Sequence, residues 1–310
     1  MALTRRSTPI CNVPEIGIGN KPIDDGNYLF TTEEKEAFLK VEPNAEKYFR
    51  RWLGAEEFLN GYERWCLWLG DCPPNELRQM PEAMARVEAV KRSRLASKSA
   101  PTRKLAETPT RFHVEFMPTE PYMVIPEVSS ERRKYIPFGF LNPDTLASNK
   151  LRLLPHASLY HFGLLSSAMH MAWTRYTCGR MKSDYQYSIS IVYNNFPWPD
   201  APSPQPSPAG GRGRSAAEGE GKIEAAAQAV LDARAQFSDA TLADLYDPLT
   251  MPPALVKAHQ KLDAAVDAAY GKKSFKNDAE RVAFLFELYQ KYTSLLPGAT
   301  KPKRGSAKRG

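Results

Sequence analysis

The sequence predicts an α+β fold, with helices around a mixed, irregular sheet in the first two thirds and a small all-helical part after it. Three observations predict it. Apolar residues recur at three- and four-residue intervals in several stretches. Between residues 112 and 154, four short strand-like pieces are bounded by Pro, Ser, Asn or Asp. Beyond residue 222 only helical periodicity remains. With 310 residues the chain has room for one or two domains, and 26 Pro and 18 Gly at 42% hydrophobic content describe loops and tails rather than a bundle or fibre.

The first 21 residues form a polar lead punctuated by Pro and Gly, expected to be poorly ordered except where it meets the next segment. Thr31 or Thr32 caps a helix with Glu33 and Glu34 in its first turn and Phe38 and Leu39 inward. Tyr48, Phe49 and Trp52 suggest a second short helix over Ala45 to Trp52, and Arg64 to Leu69 reads as a strand. Pro81 opens a helix that runs to about Ser99 with Met84, Val87, Val90 and Leu95 inward. Strand-like pieces follow at Phe112 to Phe116, Tyr122 to Ile125, Tyr135 to Phe138 and Leu151 to Leu154, then a helix over Gly163 to Cys178. Ile189, Ile191 and Tyr193 alternate as in a strand. Residues 200–221 hold four Pro and five Gly with almost nothing to bury, the mark of a disordered insertion. Helices are expected over Ile223 to Arg234, Val256 to Tyr270 and Asp278 to Tyr292, and residues 298–310 form a basic disordered tail.

Lys plus Arg number 42 against 35 Asp plus Glu, a net +7, but the last ten residues alone contribute five of those charges. Basicity therefore has to be located rather than averaged. No apolar run approaches a membrane span and no apolar signal core is present, so the expected compartment is the cytoplasm. Cys11, Cys66, Cys72 and Cys178 are scattered, which indicates neither a disulfide framework nor a zinc site. The five histidines have no ligand spacing. Gly17-Ile18-Gly19 lacks the preceding strand of a nucleotide-binding turn. Asn194-Asn195-Phe196-Pro197-Trp198 is superficially similar to the base-holding loop of amino-methyltransferases, but without its two prolines it reads as a structural junction.

Chemistry suited to DNA lies between the helix end at Cys178 and Ser188. In an extended segment Lys182, Asp184 and Gln186 share one face. Lysine donates to guanine O6 and N7, aspartate accepts from cytosine N4, and glutamine pairs bidentately with adenine; the same alternation also describes an ordinary solvated strand face. Candidate phosphate contacts are Ser130, Arg132 and Arg133 in one loop, Arg92, Arg94, Lys98, Arg103 and Lys104 in a basic run, and Arg180 as a link between the basic cluster and the reading segment.

At these residues a family resemblance emerges. Gly54-Ala55-Glu56-Glu57-Phe58, Ser97 to Ala106, Val128 to Phe140, Leu159 to Ala172, Lys182 to Trp198 and Ala240 to Pro253 resemble the C-terminal portion of the MmeI-like restriction and modification enzymes. These Type IIL proteins join a nuclease, an adenine methyltransferase and target recognition in one chain. The resemblance implies a DNA target recognition domain over residues 22–199 and a helical C-terminal domain over 222–297. It further implies that Lys182 and Asp184 act as a pair on one base pair, and that Lys150 with Gln186 forms another. The implied partner is double-stranded DNA, with no membrane.

S-adenosylmethionine and Mg2+ are implied for the full-length family, whereas no catalytic, cofactor or metal residue is expected in this chain. The expectation is a split or truncated piece of a larger enzyme, or a specificity partner for a separate methyltransferase chain. Three rivals stand beside it: a retained methyltransferase site, a protein-docking module centred on 222–297, and an inert remnant.

Overall fold

The structure is a computed structural model that describes residues 3–199 and 214–295. Its first unit is built on a four-stranded sheet in the order Leu29–Phe30, Trp65–Leu67, Phe49–Leu53, Thr145–Ala147. The helix Thr32–Val41 starts where its cap dictates. The Thr31 hydroxyl accepts from Glu34 N and the Glu34 carboxylate accepts from Thr31 N, which satisfies two otherwise orphaned donors. Phe38 thereby packs edge to face on Phe30 and Phe49, with ring centroids 5.4 and 5.8 Å away. The expected helix over Ala45 to Trp52 is corrected: a tight turn at Pro43–Tyr48 leads into the strand Phe49–Leu53, where Phe49 and Trp52 are buried within the aromatic core.

The helix Pro81–Leu95 covers this core with Ala83, Val87, Val90 and Arg94 inward, while Leu95 is 54% exposed. Phe112 to Phe116 makes one bridge, Val114 with Lys21, and is not a strand.

A second sheet, antiparallel throughout, has the order Gly17–Ile18, Leu151–Leu154, Tyr122–Pro126, Gly139–Leu141. The strand expected over Tyr135 to Phe138 is displaced to Gly139–Leu141, and Tyr135 and Phe138 are instead core residues. The helix expected over Gly163 to Cys178 is two helices, Leu159–Leu165 and Ala168–Thr177, because Ser167 breaks the run and caps the second through His170 N. Ile189–Tyr193, read as a strand, is one turn of π-helix.

The lead is not poorly ordered over residues 3–21. Ile10 is buried, Gly17–Ile18 joins the second sheet, and the fully buried Asn20 donates to the carbonyls of Phe116 and Ala147 while accepting from Phe116 N. The helical part begins inside the expected insertion, with helix Arg214–Ala235 followed by Leu242–Leu245, Pro253–Ala269 and Asp278–Leu295. Residues 200–213 of the insertion and the tail 298–310 lie outside the described residues.

These helices form no separate core. Ile223, Val230, Leu262 and Tyr289 share one apolar cluster with Phe162 and Trp173 of the preceding helices. Gly163 permits this approach, since a Cβ there would lie 2.8 Å from the Ile223 side chain. Among the described residues no helix is long and apolar enough to cross a membrane.

Two histidines are sealed in this shared core. His170 lies 3.0 Å from the Tyr187 hydroxyl, and burial lowers its pKa from 6.5 to about 3; His259, stacked on Tyr135, is lowered well below its ordinary value by the same cause. The unfolded chain therefore binds protons that the native chain refuses as the pH falls below 6.5. Stability is full above that pH and declines below it, by about 2 kcal/mol at about pH 5 from His170, with His259 acting in the same direction. The buried carboxylates of Asp263 and Asp267, raised by desolvation, act with opposite sign and blunt the decline at the acid end. Urea unfolding between about pH 7 and 5 checks this; a flat profile would contradict two buried neutral imidazoles.

Candidate nucleic-acid interface

Helix Ala168–Thr177 ends at the extended residue Cys178, and the chain enters a hairpin of strands Gly179–Met181 and Asp184–Gln186. Gly179 pairs with Gln186, Arg180 with Tyr185 and Met181 with Asp184, which leaves Lys182-Ser183 as the two-residue turn. A third strand, Val128–Ser129, pairs with Gln186 and Tyr185. Alternation sends Tyr185 and Tyr187 into the interior and leaves Asp184 and Gln186 on the other face, both half-buried.

The expectation of one extended segment is corrected here. Lys182 stands at the tip with φ +56°, a left-handed conformation that two-residue turns usually assign to glycine or asparagine. Its side chain is exposed.

Around the tip, polar contacts fix the neighbours. Asp184 accepts from Glu131 N at 3.2 Å through one carboxylate oxygen. Arg180 lies over the Tyr185 ring at 4.4 Å and donates to Ser183 O at 2.9 Å, so it braces the turn from within the hairpin while remaining exposed. Ser130, Arg132 and Arg133 lie in one turn: the Ser130 hydroxyl accepts from Arg132 N, and Arg133 N donates to Ser130 O. Arg132 is exposed, whereas Arg133 donates to the Ser129 hydroxyl. Burial pulls the Arg133 pKa below its ordinary value, against the opposing charges of Asp184 and Asp247.

Lys150 lies immediately before strand Leu151–Leu154, with its Nζ 3.8 Å from a Glu127 carboxylate oxygen. Glu127 joins the two pieces of the surface. Its N donates to Lys150 O at 2.9 Å, its carbonyl accepts from Tyr187 N at 2.8 Å, and its carboxylate holds Arg152 at 2.7 Å. Lys150, Glu127, Asn149 and Met181 line one cleft of about 430 Å3. Sequence reasoning missed Glu127 and Arg152; the one available signal was a charged residue inside the apolar run Leu151-Arg152-Leu153-Leu154.

The basic run divides. Arg92, Lys98, Arg103 and Lys104 are exposed at the end of the Tyr28 to Phe112 core, with Arg103 donating to the carbonyls of Ser97 and Lys98. Arg94 is corrected: it is 1% exposed and gives its donors to five backbone carbonyls, so it is structural and unable to reach a phosphate. Of the glycine pair in the lead only Gly19 is sterically required, since a Cβ there would lie 2.1 Å from Ser148 O whereas one at Gly17 would meet nothing. Gly19 serves close backbone packing against Ala147 and Ser148. Among the described residues no group of three or more His, Cys, Asp or Glu is placed to hold a metal ion.

The left-handed Lys182 makes a separable prediction. Lys182→Gly relieves a backbone cost of about 1–2 kcal/mol, so thermal stability is expected to rise or stay level, while any DNA base preference carried by the side chain is lost. Melting curves and duplex competition on the same protein check it. A preference that survives the change would show that the lysine is a turn residue only.

Comparison with known proteins gives concordant results. Residues 1–200 match the family model described as "MmeI, target recognition domain", and residues 216–297 match "MmeI, C-terminal domain". The chain is 38% identical over 291 residues to a Bacillus subtilis (strain 168) protein named DNA methyltransferase A, covering 94% of this chain and 31% of that protein. Among solved structures it is similar to the Type IIL restriction-modification enzyme MmeI in complex with DNA, with TM-score 0.88 and 46% identity. That match covers 95% of this chain and 37% of the solved one, so the chain spans about a third of the length of each relative.

Proposed function

The chain belongs to the MmeI family, and from that premise we propose that its hairpin and the turn at Lys150 read the sequence of double-stranded DNA. The observation that carries the reading is the lysine held at an exposed tip in a conformation suited to glycine, beside an aspartate already oriented by Glu131 N. Strained, exposed positions of this kind concentrate where a side chain has work beyond folding. Lys182 donates to O6 and N7 of a guanine and Asp184 accepts from N4 of the paired cytosine. Lys150 and Gln186, linked through Glu127, read a second base pair, with the glutamine suited to adenine.

Ser130, Arg132, Arg133 and Arg180 around the hairpin, with Arg92, Lys98, Arg103 and Lys104 on the first unit, position the duplex through its phosphates. Residues 222–295 act as a buttress, since they share their core with the helix that delivers the hairpin. The recognition serves adenine N6 methylation by an adenosylmethionine-dependent domain, in the same polypeptide or a separate one.

Titrating the full chain against a randomised duplex library at about 50 and about 200 mM salt, and sequencing what is retained, tests this reading. Retention of one motif at both salt concentrations is expected. Binding that vanishes with salt and carries no motif would sink it.

A further inference from the structure

We propose that a second cleft, lined by Arg5, Arg6 and Arg152, grips the phosphate backbone of the same duplex; this rests on the DNA-recognition reading above. The cleft has a volume of about 890 Å3. One wall is the lead, Leu3 and Arg5 to Ser7; the other is formed by Gly179, Gln186 and the entry to the π turn, Ser188 to Ile191. No carboxylate residue lines it, in a chain whose first 300 residues carry only +2. Arg152 is ion-paired with Glu127, so the local concentration of positive charge at this opening is carried by Arg5 and Arg6, and it is not a reflection of composition.

The lead is held there by dedicated contacts. Arg6 N donates to Ser190 O at 3.0 Å, and its carbonyl accepts from Asn194 Nδ2 at 2.9 Å. The Arg6 side chain donates through Nε to Asn195 Oδ1 at 3.0 Å, while Asn195 Nδ2 donates to Thr4 O at 3.0 Å. Both asparagines are buried, and the wide π turn supplies the Ser190 and Ile191 carbonyls that complete the Asn195 amide. Asn194 and Asn195 thus clamp the lead at Thr4 and Arg6, the residues on either side of Arg5. On the opposite side, Glu127 fixes Arg152 at 2.7 Å.

Planar guanidinium groups match phosphate oxygens bidentately. The hydroxyls of Ser188 and Ser190, 3.3 Å apart, stand in the same cleft as further phosphate donors. DNA is favoured over an acidic protein surface as the occupant because Gln186 belongs to both places. It lines this cleft, and it pairs with Val128, next to the Glu127 that touches Lys150. A duplex read by Gln186 has its backbone beside the arginines.

The test uses the full chain, its library-selected duplex and a scrambled duplex of equal length. Arg5→Gln with Arg6→Gln is expected to weaken both duplexes about tenfold per arginine at about 0.1 M salt and to lower the slope of log affinity against log salt by about two. The ratio between the two duplexes stays unchanged, and the double lysine variant keeps the slope. If the double glutamine variant melts early, Arg5→Gln alone, an exposed side chain, is expected to lower the slope by about one. An unchanged slope in a folded variant, as an acidic protein occupant would give, overturns the assignment. So does a shift in the ratio, because phosphate contacts carry no sequence information. Failure of the unaltered chain to bind either duplex would overturn the DNA reading itself, whereas its binding with an insensitive slope overturns this cleft alone.

Discussion

Arg94→Ala is expected to destabilise the protein by about 3–5 kcal/mol, far more than any other change on the basic run. The guanidinium of Arg94 donates from Nε to Ile23 O, from Nη1 to the carbonyls of Leu105 and Thr108, and from Nη2 to those of Pro22 and Arg111, all at 2.8–3.0 Å. All five of its N–H donors are thereby used. One side chain ties helix Pro81–Leu95 to the exit of the lead and to the loop that follows it.

Burial pulls the Arg94 pKa below its ordinary value, with the Asp24 charge opposing, so the cation is held by a nearby carboxylate as well as by carbonyl dipoles. Alanine would leave five carbonyls without this donor, and lysine, with three donors, would serve at most three of them. The neighbouring Leu95→Ala removes an exposed side chain and is expected to cost less than about 0.5 kcal/mol. Urea denaturation of both variants checks the pair; an Arg94→Ala loss below about 1 kcal/mol would contradict the buried role.

The second large effect is on specificity. Exchanging the two hairpin residues, Lys182→Asp with Asp184→Lys, is expected to reverse the preferred orientation of one base pair from G·C to C·G. A good bidentate contact discriminates by about 1–3 kcal/mol, so the preference should swing by roughly one to two orders of magnitude each way. The local structure accommodates the exchange on one side, because aspartate tolerates the left-handed conformation at the tip better than most residues. On the other side, lysine at 184 gives up the acceptor for Glu131 N, a loss of about 1 kcal/mol at an exposed turn. Net charge is unchanged by the exchange, so salt-dependent, sequence-independent affinity is expected to stay close to that of the parent.

Much of the fold was legible because it rested on local chemistry. The cap at Thr31, the proline opening Pro81–Leu95, and the strand Leu151–Leu154 follow from side-chain rules that need no tertiary context. Arg94 was misread because charge was weighed above period: Ala83, Val87, Val90 and Arg94 are spaced four, three and four apart, which is the inward stripe itself. Ile189, Ile191 and Tyr193 misled for a related reason. Alternation over five residues fits a strand, but a π turn that buries the consecutive Val192 and Tyr193 carries the same letters.

Within the candidate site, the sequence pattern placed Lys182, Asp184 and Gln186 in one short segment, but the hairpin turn and the left-handed Lys182 needed the structure. The proximity of Lys150 to Glu127, and of Glu127 to the strand of Gln186, arises from pairing between distant segments and has no local signature. The lead was expected to be loose on composition alone. Its order comes from Asn20, Asn194 and Asn195, whose side chains supply backbone partners that a polar, irregular segment lacks on its own.

The most direct measurement is a side-by-side selection from one randomised duplex library with the parent chain and the Lys182/Asp184 exchange. If the hairpin reads DNA, both proteins retain the same motif except at one position, which changes from G·C to C·G. An identical motif from both proteins, or no motif from the parent, would contradict base reading by Lys182 and Asp184.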